Sequence, residues 1–209
     1  PDTKIKSKKL ILKILHHFIR KKPLNLIFAT MKSSHLTLID EASNALINIS
    51  KNQNLSDDHL SKIDESILLL AQRAFQLHLF KSTIINDSYS ILIKDHVNYD
   101  LSILIPVLLK LGTLKEPEIP IEKYIHYVKS NDKELLPLVL ELVESTFSSN
   151  SKKFILPLID PDIIPSKVAI GLFDTKFLPK DDFLLFWMES NHTWKINISL
   201  DYCLKNEKI

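Results

Sequence analysis

Apolar residues recur along this chain at intervals of three and four, the period of a helix face, and no stretch sustains strict apolar–polar alternation. Valine supplies only six positions, so a sheet has little to be built from, and Ile196 to Leu200 is the piece best able to pair as an isolated strand. Leucine and isoleucine together fill 62 of 209 positions, which excludes a disordered chain and suffices for one or at most two globular units. The pattern predicts an all-α fold.

The first helix places Leu10, Ile11, Ile14, Leu15, Phe18 and Ile19 on one face, with Lys9, Lys13 and Arg20 off it and His16 and His17 at its boundary. Pro23 is expected to stop it. A second helix runs to about Met31, and Ser33 or Ser34 caps a third that carries Leu38, Ile39, Ala42, Leu46 and Ile49. Lys51 to Asp58 is polar and reads as a loop. Beyond it the spacing predicts helices near 59–77, 82–97, 100–111, 120–130, 132–147, 151–159, 165–173 and 180–189, with a last helix over 196–206. Connections of a few residues favour antiparallel neighbours.

Leu104-Ile105-Pro106-Val107-Leu108-Leu109-Lys110-Leu111 aligns with Leu135-Leu136-Pro137-Leu138-Val139-Leu140-Glu141-Leu142 at an offset of 31. Six positions are aliphatic in both copies, the proline is identical, and one charged position in each is expected to face out. Proline is unwelcome in a helix interior, so its recurrence predicts a shared bend or first-turn site, with Asp100 and Asp132 as caps just upstream. Such hairpins predict a right-handed, α-solenoid-like stack over residues 23–209, clearest over 60–160, preceded by a basic amphipathic helix over 1–22.

The strings LIPVLLKL and LLPLVLEL resemble the first helix of HEAT repeats. The longer pattern from LLLLAQRAFQLHLF through DLSILIPVLLKLGTL is similar to the hairpins of organellar heptatricopeptide and FAST-kinase-like RNA-associated proteins. Glu116-Pro117-Glu118-Ile119-Pro120 holds no arginine where HEAT repeats carry one. The resemblance covers about half the chain, and it implies a helical repeat and a place in mitochondrial or plastid RNA machinery.

Charge is divided unevenly. Lys4, Lys6, Lys8, Lys9, Lys13, Arg20, Lys21 and Lys22 stand against Asp2 alone, a net +7, while the remainder carries 19 basic and 24 acidic residues, a net −5. A polyanion such as RNA would be drawn to the head, where lysines gain free energy by releasing phosphate counterions. Lysine outnumbers arginine 25 to 2, which suits phosphate contact better than the reading of base edges. Alternatively the lysines only solvate the first helix, and the body is a HEAT-like protein–protein scaffold with no nucleic-acid contact.

Catalytic patterns are scarce. Gly112 and Gly171 are the only glycines and lie too far apart for a dinucleotide fingerprint, a phosphate-binding loop or a nucleophile elbow. Glu118, Glu122 and His126 are spaced by four, but Pro120 marks the helix start and leaves Glu118 outside it. Asp57-Asp58-His59 and Asp95-His96 are adjacent in sequence, so their side chains diverge. Cys203, the single cysteine, is expected to be buried; it makes no internal disulfide, which points away from a secreted domain. Phe183, Phe186 and Trp187 share a helical spacing suited to the core, whereas Trp194 is placed in an exposed loop over Asn191 to Lys195. The longest uncharged apolar run, Leu101 to Leu109, is too short to span a bilayer. The start at Pro1 without an initiator methionine suggests a processed chain or a fragment.

The expectation is a non-catalytic component of an organellar ribonucleoprotein, mitochondrial or otherwise cytoplasmic or nuclear. It would bind RNA through the eight basic residues of the head and other protein subunits through the body. No cofactor, metal or small-molecule substrate is indicated.

Overall fold

A computed structural model describes residues 2–15, 21–84, 88–130, 132–173, 184–185, 187–188 and 193–205. Among the described residues it is all-helical, with no strand. The helices are α1 (Asp2–Leu15), α2 (Lys21–Met31), α3 (Leu36–Ser50), α4 (Asp57–Thr83), α5 (Ser88–Gly112), α6 (Ile121–Ser130), α7 (Leu136–Thr146), α8 (Ser149–Ile159), α9 (Pro165–Leu172) and α10 (Thr193–Lys205). The helix expected over 180–189 falls largely outside the described residues, as do His16, His17, Phe183 and Phe186.

Several boundaries differ from the sequence-based expectation. Pro23 does not end a helix; it sits in the first turn of α2, where its missing N–H is one that has no intrahelical acceptor. Ser33 and Ser34 precede the N-cap of α3, which is His35, and the Ser33 hydroxyl accepts from the His35 N–H at 3.1 Å. Ser56 caps α4, its side chain and that of His59 closing a reciprocal capping box, with Asp57 and Asp58 favourably placed near the positive end of the helix dipole. The helices expected over 82–97 and 100–111 form one helix, α5, because Ile93, Val97, Leu101, Leu104 and Leu108 make a single unbroken buried stripe through Asn98-Tyr99-Asp100.

The two prolines of the aligned strings therefore occupy different places. Pro106 lies inside α5, whereas Pro137 stands in the first turn of α7. Asp100 is a buried residue in mid-helix and caps nothing, while Asp132 does organise the entry to α7, accepting the Glu134 N–H on Oδ1 at 2.9 Å. Lys110 also departs from expectation. It is buried and donates to Asp40 Oδ1 (3.0 Å) and Asn44 Oδ1 (2.7 Å) of α3, while Glu141 faces solvent.

Consecutive helices touch from α5 through α9, and α4 packs on α2, α5, α8 and α9. The array thus folds back on α4, its long central partner, instead of touching only along the sequence. Gly112, at the end of α5, lets the buried Phe147 ring approach so closely that a Cβ there would lie 2.1 Å from a ring carbon. Cys203 is buried on α10, as expected.

Candidate functional site

Two places in the fold concentrate charge: the outer face of α1, and a cleft between α2, α4, α5 and α10. On α1 the expected face can be followed only at Leu10 and Ile11, because the side chains of Ile14, Leu15, Phe18 and Ile19 lie outside the described residues. Leu12 is buried and Ile5 half-buried against the body, while Leu10 and Ile11 are exposed. Lys9 and Lys13 turn towards α3 and approach the same Glu41 oxygen at 3.2 and 3.9 Å. These lysines thus lie on the side of α1 that meets α3, while Leu10 and Ile11 are left open. Lys4, Lys6 and Lys8 are exposed and make no ion pair among the described residues. Lys21 and Lys22 belong to α2, and Arg20 lies outside the described residues.

The cleft has a volume of about 340 Å³. Its charged wall is built by residues that are distant in sequence. Asp100 of α5 and Lys195 of α10 are both buried and meet at 2.6 Å, Oδ2 accepting from Nζ. Lys195 also lies 5.2 Å from the centroid of the Trp187 ring, which is fully buried. Burial pulls the Lys195 ammonium below its ordinary value; Asp100 offsets this by its charge and hydrogen bond, and Arg73 adds to the depression.

Arg73 of α4 is half-buried beside this pair. It donates from Nη1 to the Ser33 carbonyl (3.4 Å) and from Nη2 to the Ser34 carbonyl (3.1 Å), bracing the α2–α3 turn. Burial lowers its pKa as well, and the charge of Asp100 works in the opposite sense. No carboxylate among the described residues lies within ion-pair distance of Arg73. Two cations therefore share one carboxylate, and Lys32 stands exposed at the rim.

Aromatic rings close the other side of the pair. His96 stacks on Trp194 at 4.3 Å, meets Trp187 edge-on at 5.4 Å, and places Nε2 3.7 Å from Asp100 Oδ1. Trp187 in turn meets Phe80 at 5.6 Å. Trp187 is the core residue expected. Trp194 keeps 38% of its surface exposed, but it lies in the first turn of α10 with one face covered by His96, not in a loop.

The remaining candidates stay apart. Glu118 lies in the turn before α6, while Glu122 and His126 are exposed on it. His59 serves the α4 cap, Asp58 pairs with Lys62 at 2.7 Å, and Asp95 is exposed while His96 points to the buried cluster. Among the described residues no group of three His, Cys, Asp or Glu side chains is placed to hold a metal ion, and no helix is long and apolar enough to cross a membrane.

Neither Asp100 nor Lys195 was expected to be buried. The signal is present at helical spacing: Lys195 falls in register with Ile198, Ser199 and Tyr202, and Asp100 with Val97 and Leu104, all of them buried. A carboxylate on one apolar stripe and an ammonium on another call for each other, because neither charge is tolerable alone. No protein-family model, curated protein or solved structure matches the chain. The fold and its charged surfaces therefore define a class only, an all-helical protein with a cationic first helix and a buried charge cluster.

Proposed function

We propose that the chain is a non-catalytic helical component of an organellar ribonucleoprotein, such as a mitochondrial ribosome or an RNA-processing complex. Its basic N-terminal segment contacts RNA phosphates, and its body contacts neighbouring proteins. The observation that carries this reading is the exposure of Lys4, Lys6 and Lys8 on one short helix without carboxylate partners among the described residues. Phosphates meeting those ammonium groups release counterions at no cost in broken ion pairs, whereas Lys9 and Lys13 must share Glu41. In this reading residues 60–160 form a short right-handed stack of hairpins that docks partner subunits, supported by the sequential contacts of α5 to α9.

A second reading, a protein scaffold without RNA, is favoured by exposed apolar residues: Leu10 and Ile11 on α1, and Leu200 and Leu204 one turn apart on α10. Replacing Lys4, Lys6 and Lys8 by glutamate separates the two and leaves the Glu41 pairs intact. RNA retention on the purified protein should fall at least about tenfold, with a shallower salt dependence. Unchanged association with a defined protein set, before and after ribonuclease, selects the scaffold.

A further inference from the structure

We propose that the cleft between α2, α4 and α10 binds a small organic anion, its carboxylate or phosphate head between Arg73 and Lys195 and its apolar body against the exposed side chain of Leu69. The inference is independent of the RNA reading, which concerns the opposite property, an exposed and solvated set of lysines.

Charge is the first argument. Asp100 is committed to Lys195 at 2.6 Å, and among the described residues the hydrogen-bond partners of Arg73 are two neutral carbonyls. The guanidinium carries a full positive charge in a partly dehydrated place, with N–H donors beyond the two used on Ser33 and Ser34. Lys195 likewise spends one donor on Asp100 among the described residues, and an ammonium has three. Among the described residues two cations face one carboxylate there, so an entering anion restores the balance, and a planar fork beside a point charge suits either a carboxylate or a phosphate monoester.

Shape is the second argument. A volume of about 340 Å³ lies at the small end of ligand sites, which fits one head group and a ring or short acyl chain and excludes a polymer. Leu69 of α4 lines the cleft beside the charged wall with much of its side chain exposed, so an inorganic ion alone would leave that apolar surface uncovered. The amides of Gln72 and Gln76 on the same helix supply the few polar contacts that orient such a molecule.

The probes are phenyl phosphate, benzoate and the neutral benzyl alcohol, titrated calorimetrically against the whole chain and its variants. The anions are expected to bind one per chain with a dissociation constant of about 1 mM or tighter, and benzyl alcohol at least roughly tenfold more weakly. Phenyl phosphate binding tighter than benzoate assigns a phosphate head, and the reverse order a carboxylate. Arg73→Gln should lower anion affinity at least about tenfold and leave benzyl alcohol unaffected. If Arg73→Gln does not fold, Arg73→Lys, which keeps the charge and loses the planar fork, should still lower anion affinity by about threefold or more. Lys4→Glu, Lys6→Glu and Lys8→Glu should not change the titration. Equal binding of neutral and anionic probes, no saturation below about 10 mM, or unchanged anion affinity in the folded cleft variant overturns the proposal.

Discussion

Replacing each glycine by alanine should move stability in opposite directions, and the difference can be worked out from the packing. At Gly112 a Cβ would meet Phe147 ring carbons at 2.1, 2.4 and 2.5 Å, so the ring must leave its place. Phe147 is buried, and displacing it forfeits about 1.5–3 kcal/mol of burial with some added strain. Alanine returns about 1 kcal/mol through helix propensity, because Gly112 ends α5 with an ordinary backbone. The balance is a loss of about 2 kcal/mol, or a Tm lower by about 4–8 °C in a chain of this size. At Gly171, within α9, a methyl group would have no neighbour within 4 Å, so the same change there should be neutral or stabilising by up to about 1 kcal/mol. Urea unfolding followed by circular dichroism gives both values. Phe147→Leu should cost less in the Gly112→Ala background than in the parent, with a coupling of about 1 kcal/mol or more. Equal stability of the two alanine variants, or strict additivity with Phe147→Leu, would falsify the packing argument.

Other outcomes follow from buried polar groups. His78 is held down to about 4 by burial and by Lys81, against 6.5 in the unfolded chain. As pH falls below about 6.5 the unfolded chain takes up this proton first, so stability is full above that pH and declines towards pH 4, by at most about 3 kcal/mol. His78→Leu should flatten that part of the urea-midpoint profile, and an unchanged slope would remove His78 as the cause. Asp100→Ala should cost about 3–5 kcal/mol by stranding Lys195, whereas Asp100→Leu with Lys195→Met should lie within about 1 kcal/mol of the parent or above it. Losses that simply add would refute the pair. Cys203 is buried on α10 and should react with a thiol reagent only after unfolding; rapid native-state labelling would contradict its burial.

Helix type was readable in the sequence because it depends on local spacing, and α3, α6 and α8 fall close to where that spacing puts them. Errors arose where tertiary packing overrode a local signal. Asn98-Tyr99-Asp100 has the composition of a turn, yet the buried stripe from Ile93 to Leu108 carries α5 straight through it. The repeated LIPVLLKL and LLPLVLEL strings suggested equivalent helices, but similarity of leucine-rich strings does not fix where a helix starts, and the two prolines occupy different contexts. On α1 the exposure of Leu10 and Ile11 and the approach of Lys9 and Lys13 to Glu41 of α3 were not legible from spacing alone. Of the charge centres, the exposed lysines were visible as composition. The Arg73–Asp100–Lys195 cluster was not, because its members come from three helices and become neighbours only through the fold.

The Asp100–Lys195 bond spans 95 residues of sequence, and this has a consequence for synthesis. Helices α2 to α9 can collapse as they leave the ribosome, yet the carboxylate on α5 lacks its hydrogen-bonded partner Lys195 until α10 follows. Until then Asp100, on the apolar stripe around Val97 and Leu104, has the half-buried Arg73 and His96 beside it, and its free oxygen stays hydrated. Arrival of α10 supplies the ammonium and brings Trp194 onto His96 in one step, so this late helix acts as the latch that closes the buried wall of the cleft.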